Sequence, residues 1–131
     1  MSQPLRVLIV DDEERLRRAL VRLLGDHETV EAADGAAARR ILERDQAFDV
    51  ILCDMMMPGV SGMDLHGWLR EAHPRLAGRL IFITGGAFTP RAKEFIDSVP
   101  NLCLEKPFLP ERVCEAVAGL LKRVRQPPTA E

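Results

Sequence analysis

Short apolar runs alternate with stretches of helical spacing along almost the whole chain. Leu5-Arg-Val-Leu-Ile-Val10 reads as a first strand and gives way to four acids, Asp11, Asp12, Glu13 and Glu14. Leu16, Ala19, Leu20, Leu23 and Leu24 then recur at helical intervals, and Gly25-Asp26 ends that helix. A weaker strand follows from His27 to Ala32, then a helix from Ala36 to about Arg44, opened by Asp34-Gly35, with Ala38, Ile41 and Leu42 inward. Val50 to Cys53 is a third strand, β-branched at its start, ending in Asp54 and closed by Pro58-Gly59. A third helix runs from about Gly62 to Ala72, with Leu65, Trp68, Leu69 and Ala72 on one face and Pro74 beyond its end. Leu80-Ile-Phe-Ile83 is the fourth strand, leading to Thr84-Gly85-Gly86. Thr89-Pro90 has the form of an N-cap and first-turn proline for a fourth helix carrying Ala92, Phe95 and Ile96. Leu102-Cys-Leu104 is the fifth strand, followed by Glu105-Lys106-Pro107, and Pro110 opens a last helix lined by Val113, Val117, Leu120, Leu121 and Val124. Residues 126–131, with Pro127-Pro128, read as a frayed tail after a single domain spanning 1–125.

Five strands alternating with five helices imply an α/β fold, a parallel sheet covered by helices on both faces. Right-handed crossovers make the doubly wound, flavodoxin-like strand order 2-1-3-4-5 the natural choice at this length. In that order the carboxyl ends of strands 1, 3, 4 and 5 share one rim, where open α/β sheets bind ligands. Asp11, Asp12, Asp54, Thr84 and Lys106 therefore converge. Taken alone, Asp54 is better explained by ordinary turn chemistry; the convergence favours a site.

Composition narrows the partners. The chain has 131 residues, 47% hydrophobic and 29% charged, with 18 basic and 20 acidic side chains and a net charge of −2. Such a balance provides no general field for nucleic acid or for a membrane surface, and the absence of Tyr argues against base-stacking platforms. The scattered thiols Cys53, Cys103 and Cys114 form no CxxC pair and fit reduced, buried cysteines of a cytoplasmic protein. No stretch has the form of a signal peptide or a membrane span.

Three carboxylates gathered at one rim repel one another and call for a cation. Oxygen ligands without His or Cys select Mg²⁺ or Mn²⁺ over zinc, and Mg²⁺ keeps coordination positions free for a phosphate. Acids at a helix start also serve its dipole, a task that Glu13 and Glu14 can perform. Lys106 beside the acids can pair with Asp54 and, later, with a phosphoryl oxygen. The Thr84 hydroxyl can donate to the same oxygen, and Gly85 and Gly86 leave space beside it. His66 and His73, seven apart on the third helix, read as solvated surface. The basic end of the last helix, Lys122, Arg123 and Arg125, reads as dipole compensation in preference to DNA contact.

Together these pieces resemble the receiver domain of two-component response regulators, including the receiver modules of hybrid histidine kinases. The resemblance extends from about Leu5 to Val124. It rests on Val10-Asp11-Asp12-Glu13, on Asp54-Met55-Met56-Met57-Pro58-Gly59 with Gly62, on Thr84-Gly85 and on Lys106-Pro107. It implies a phosphorelay role in which Asp54 accepts a phosphoryl group from phosphohistidine on a histidine kinase or histidine phosphotransfer domain. It implies direct Mg²⁺ binding by Asp12, Asp54 and the backbone carbonyl of Met56, with Asp11 acting through water. Thr84 and Lys106 would contact the phosphoryl group. A conformational response would emerge on the face of the fourth helix, fifth strand and last helix, read by an output domain in cis or in trans. The chain would be no enzyme beyond its own phosphorylation and dephosphorylation.

Three positions depart from or specialise that pattern. Family members usually carry an aromatic residue three positions before the lysine. Cys103 stands there, which implies a muted or differently built output, or plain core filling. The residues two beyond Asp54 and Thr84 flank the path of a hydrolytic water in the family; Met56 and Gly86 cannot orient one, so a long-lived acyl phosphate is expected. Two rivals remain. A Mg²⁺-dependent phosphohydrolase would normally have a second Asp where Met56 stands. A module that has lost phosphorylation would not need the acids, Thr84 and Lys106 together.

Overall fold

A computed structural model of the chain describes residues 4–85 and 89–125. Its elements are β1 (Arg6–Val10), α1 (Glu14–Leu23), β2 (Glu28–Ala32), α2 (Gly35–Arg44), β3 (Val50–Asp54), α3 (Gly62–Ala72), α4 (Pro74–Ala77), β4 (Leu80–Thr84), α5 (Pro90–Ser98), β5 (Cys103–Glu105) and α6 (Pro110–Arg125). The strands form one parallel sheet in the order β2-β1-β3-β4-β5. The strand order and the alternation are those expected from the sequence. Every residue of β3 and β4 is buried, as central strands covered on both faces must be.

Alternating side chains supply two cores. Leu8, Val10, Ile51, Cys53 and Phe82 point to the face that α2, α3 and α5 cover. Val7, Ile9, Leu52, Ile81 and Ile83 point to the face that α1 and α6 cover. Helix starts are secured locally. Asp34 accepts from the amide of Ala37, Ser61 and Asp64 form a reciprocal capping box, and Thr89 accepts from the amide of Ala92.

Several details differ from the sequence reading. Pro74 does not simply follow α3; it starts the separate short helix α4. On α1 only Leu20, together with the capping Leu24, is buried. Ala19 is exposed, while Leu16 and Leu23 are half-buried and line an open apolar groove with Phe108. Ala72 is exposed. Of the three thiols only Cys53 is buried; Cys103 is half-buried and Cys114 exposed. Gly86 and the tail 126–131 lie outside the described residues, as does any side-chain role of Val124 and Arg125.

The largest correction concerns His66, which is not a surface residue. It is 3% exposed, because α5 covers that side of α3. Its ring lies 5.6 Å from that of Phe82 and 5.5 Å, edge to face, from that of Phe95. His73, at the end of the same helix, is half-buried and stacks edge-on against Trp68. Asn101 donates to the carbonyls of Ala77 and Leu80, so its Oδ1 faces His66 Nε2 at 3.2 Å. Nε2 therefore carries the hydrogen, and the buried Nδ1 has no hydrogen-bond partner. A second proton would sit there unpaired. Burial first, and the nearby Arg70 charge with it, lowers the pKa of His66 despite the Asn101 contact. The unfolded chain thus takes up this proton at a higher pH than the native one, and the stability from a neutral His66 is lost as pH falls below about 6.5. Denaturant melts of the wild type and His66→Gln at pH 7.5 and pH 5.5 check this. The difference in slope should show the wild type losing more on acidification; equal slopes would refute it.

Candidate functional site

The rim at the carboxyl ends of the strands is pinned by backbone bonds that continue the ladders past the last paired residues. The amide of Asp11 donates to Ala32 at 3.2 Å, that of Met55 to Ile83 at 2.8 Å, and that of Lys106 to Thr84 at 2.7 Å. These bonds hold the acidic side chains, the threonine and the lysine on one rigid edge. The Lys106–Pro107 peptide bond is cis.

One carboxylate oxygen from each of Asp11, Asp12 and Asp54 lies within 4.8 Å of the others. Asp54 is only 6% exposed and Asp11 is fully buried, while Asp12 is exposed. Asp11 uses Oδ1 to accept from the amide of Glu13 at 2.8 Å, and its buried Oδ2 has no hydrogen-bond partner. Asp54 Oδ1 accepts from the amide of Met56 at 3.2 Å. Lys106 Nζ stands 3.6 Å from Asp11 Oδ2, 3.7 Å from Asp54 Oδ2 and 3.3 Å from Glu13 Oε2.

The electrostatics follow from one ammonium serving this many acids. Burial above all, and the Asp11 charge next, push Asp54 up to about 6; Lys106 and the Met56 amide oppose the shift. Asp11 is raised as well, again chiefly by burial, against the Glu13 amide and Lys106. For Lys106 burial works to lower the pKa, but Asp11, Asp54 and Glu13 together outweigh it and raise it. The carboxylates thus remain uncomfortable even with Lys106 beside them. A buried carboxylate oxygen with no donor, in an all-oxygen set, fits a hard divalent cation.

The expected residues Asp11, Asp12, Asp54 and Lys106 are brought together here. Thr84 ends β4 next to them and is buried. A side chain built on the neighbouring Gly85 meets nothing within 4 Å, so space beside Thr84 is open among the described residues. Met56, two residues beyond Asp54, is 47% exposed. Cys103 sits beside Phe82 across the β4–β5 ladder, packed against the core that contains the His66, Phe82 and Phe95 rings.

The partner of Glu13 lies far away in the chain. Glu13 precedes α1 without capping it, and Asp11 takes the turn-forming contact instead. Glu13 faces Lys106 from 93 positions away, a pairing that no local pattern announces.

The family model of the response regulator receiver domain matches residues 7–118. The chain belongs to the response regulator receiver family. Among curated relatives, this receiver domain is 32% identical over 131 residues to protein PetR of Rhodobacter capsulatus, covering 98% of this chain and 54% of PetR. It is 30% identical over 127 residues to the chemotaxis protein CheY-3 of Vibrio cholerae, covering 95% of this chain and 97% of CheY-3. The chain spans about half or less of the first curated relatives, 24% of FleR of Pseudomonas aeruginosa and 50% of ResD of Bacillus subtilis. A receiver domain crystal structure from Clostridium thermocellum superposes with a TM-score of 0.81 at 26% identity, covering 92% of this chain and 97% of that one. Such receivers are signalling phosphoacceptors of two-component systems, bind Mg²⁺, and work with histidine kinases and output domains. No described helix is long and apolar enough to cross a membrane.

Proposed function

We propose that Asp54 is the phosphoacceptor of this receiver. The observation that carries the reading is the cluster of Asp11, Asp12 and Asp54 oxygens within 4.8 Å of one another, with the Lys106 ammonium beside two of those acids. An Asp54 oxygen attacks the phosphorus of a phosphohistidine, the P–N bond breaks, and the imidazole leaves with the bonding pair. Asp12, Asp54 and the backbone carbonyl of Met56 would hold Mg²⁺, with Asp11 behind them. The cation would offset charge on the transferring phosphoryl group.

The chain's own residues do the rest. Lys106 leaves its contact with Asp54 for a phosphoryl oxygen, and Thr84 donates its hydroxyl to another. The donor is a histidine kinase or histidine phosphotransfer domain in the cytoplasm. The response passes to the α5, β5 and α6 face, with Cys103 taking the place of a movable ring. The Met56 side chain has no group that orients a water in line with the acyl phosphate, so hydrolysis is slow.

One experiment examines acceptance and lifetime together. The chain is loaded with acetyl phosphate and Mg²⁺, passed through a desalting column, and followed by intact mass. A single phosphoryl adduct should form only with the divalent cation and persist for minutes or longer. No adduct would overturn the phosphoacceptor assignment. An adduct gone within seconds would overturn the role given to Met56.

A further inference from the structure

We propose that Arg17 is a positioning residue for the divalent cation, acting by locking the peptide group that joins Asp11 to Asp12. The inference rests on the Mg²⁺-dependent reading above. Arg17 lies in the first half of α1, and its side chain is only 14% exposed. It turns back toward the rim. Nη1 donates to the carbonyl oxygen of Asp11 at 2.7 Å, and Nε donates to Glu31 Oε1 at 3.2 Å. The planar guanidinium thus ties the end of β1 to the edge strand β2.

The bonded carbonyl is the significant one. It belongs to the same rigid plane as the amide nitrogen of Asp12. Asp11 is held on its amino side by its bond to Ala32. On its carboxyl side the ladder has ended, and rotation of the next peptide would swing the Asp12 side chain relative to Asp11 and Asp54. Arg17 fixes that rotation with a short, charge-assisted bond. An ordinary surface ion pair with Glu31 would explain the Nε contact, and such pairs contribute little. It would not account for a largely buried guanidinium whose shorter bond goes to a main-chain carbonyl between two of the clustered acids. Lysine cannot reproduce the fork, because a single ammonium has no fixed pair of diverging donors.

The test uses the full chain labelled with ¹⁵N. Mg²⁺ is titrated while the Asp12 and Glu13 amide signals are followed in the wild type, Arg17→Met, Arg17→Lys and Glu31→Gln. Melting without metal is measured in parallel. Arg17→Met should raise the Mg²⁺ midpoint about tenfold, the size usual when a ligand loses its supporting hydrogen bond. Arg17→Lys should recover part of the loss, and Glu31→Gln should shift the midpoint least. Acyl-phosphate loading by Arg17→Met should return to within about twofold of wild type once Mg²⁺ saturates, the mark of altered cation affinity rather than altered chemistry. A wild-type midpoint in Arg17→Met overturns the proposal, as does loading that stays low at saturation. Should Arg17→Met fail to fold, the same midpoints in Arg17→Lys and the wild type overturn it. If the wild type itself binds no Mg²⁺, the phosphoacceptor reading fails first.

Discussion

Replacing Asp54 by Asn is expected to abolish acyl-phosphate formation and to stabilise the metal-free protein near neutral pH. The first effect follows because a neutral carboxamide does not supply the attacking carboxylate. The second follows from the sign of the Asp54 shift. Its native pKa, about 6, lies above that of an exposed aspartate, mainly because burial and the neighbouring Asp11 charge disfavour the carboxylate. Between those values the unfolded chain has already released the proton that the native protein still holds. Stability from a protonated Asp54 is therefore complete below about pH 4 and is lost as pH rises through about 6. The carboxamide of the variant never ionises and keeps its stability through that window. Without metal, Asp54→Asn should exceed the wild type by roughly 1–3 kcal/mol at pH 7.5, with the gap closing toward pH 4. Mg²⁺ should narrow it, because a cation that binds only the native carboxylates adds stability that grows with the logarithm of its concentration above Kd. Urea melts with EDTA and with Mg²⁺ across this pH range measure both trends. A variant no more stable than wild type at pH 7.5 in EDTA would contradict the strained carboxylate cluster. A phosphoryl adduct of unchanged yield on the variant would place the acceptor elsewhere.

Gly62→Ala should be strongly damaging, both to stability and to the site. A Cβ at that position would lie 2.5 Å from the Asp54 carbonyl oxygen and 2.8 Å from the Met55 Cα. Both are backbone atoms, so no flexible side chain can yield. The Gly62 amide also donates to the Met55 carbonyl at 2.9 Å, so α3 starts directly against the peptide that carries Asp54. An added methyl must push the helix away or shift Asp54. Overpacking of this kind costs about 1–3 kcal/mol. Because Asp54 moves with it, acetyl phosphate loading should fall by about tenfold or more, as displacements near 1 Å commonly do. Gly67, also on α3, and Gly119, on α6, provide the control, since nothing stands within 4 Å of an added Cβ there. Alanine at either should add about 0.5–1 kcal/mol through helix propensity while leaving loading intact. Chemical melts and loading rates on the three variants decide the matter. If Gly62→Ala behaves like Gly119→Ala, the close approach of α3 to Asp54 is not real.

Much of this protein was legible in one dimension. Strands follow from short unbroken apolar runs and helices from a hydrophobic period of about 3.6 residues, both properties of neighbouring positions. The places where apolar runs stop at Asp11, Asp54, Thr84 and Lys106 are equally local, and a parallel right-handed topology then sends those ends to one rim. The caps at Asp34 and Thr89 reach only three positions ahead.

What only the tertiary structure decided are pairings between distant positions, where residue type carries too little information. His66 has a polar side chain on a helix face that in isolation would meet water; α5 folding over α3 buries it and gives it Asn101 as a partner. Glu13 suits a helix start, yet the loop after β5 brings Lys106 to it. Arg17 is one of several arginines on α1, and only the turn between β1 and α1 aims it at a main-chain carbonyl. Gly62 is one of nine glycines, and its need to lack a side chain appears only once the backbone of Asp54 is packed against it. Local sequence sets which segments are regular and where they end. Close packing of those segments sets which atoms at the rim share a charge, a hydrogen bond or a van der Waals surface.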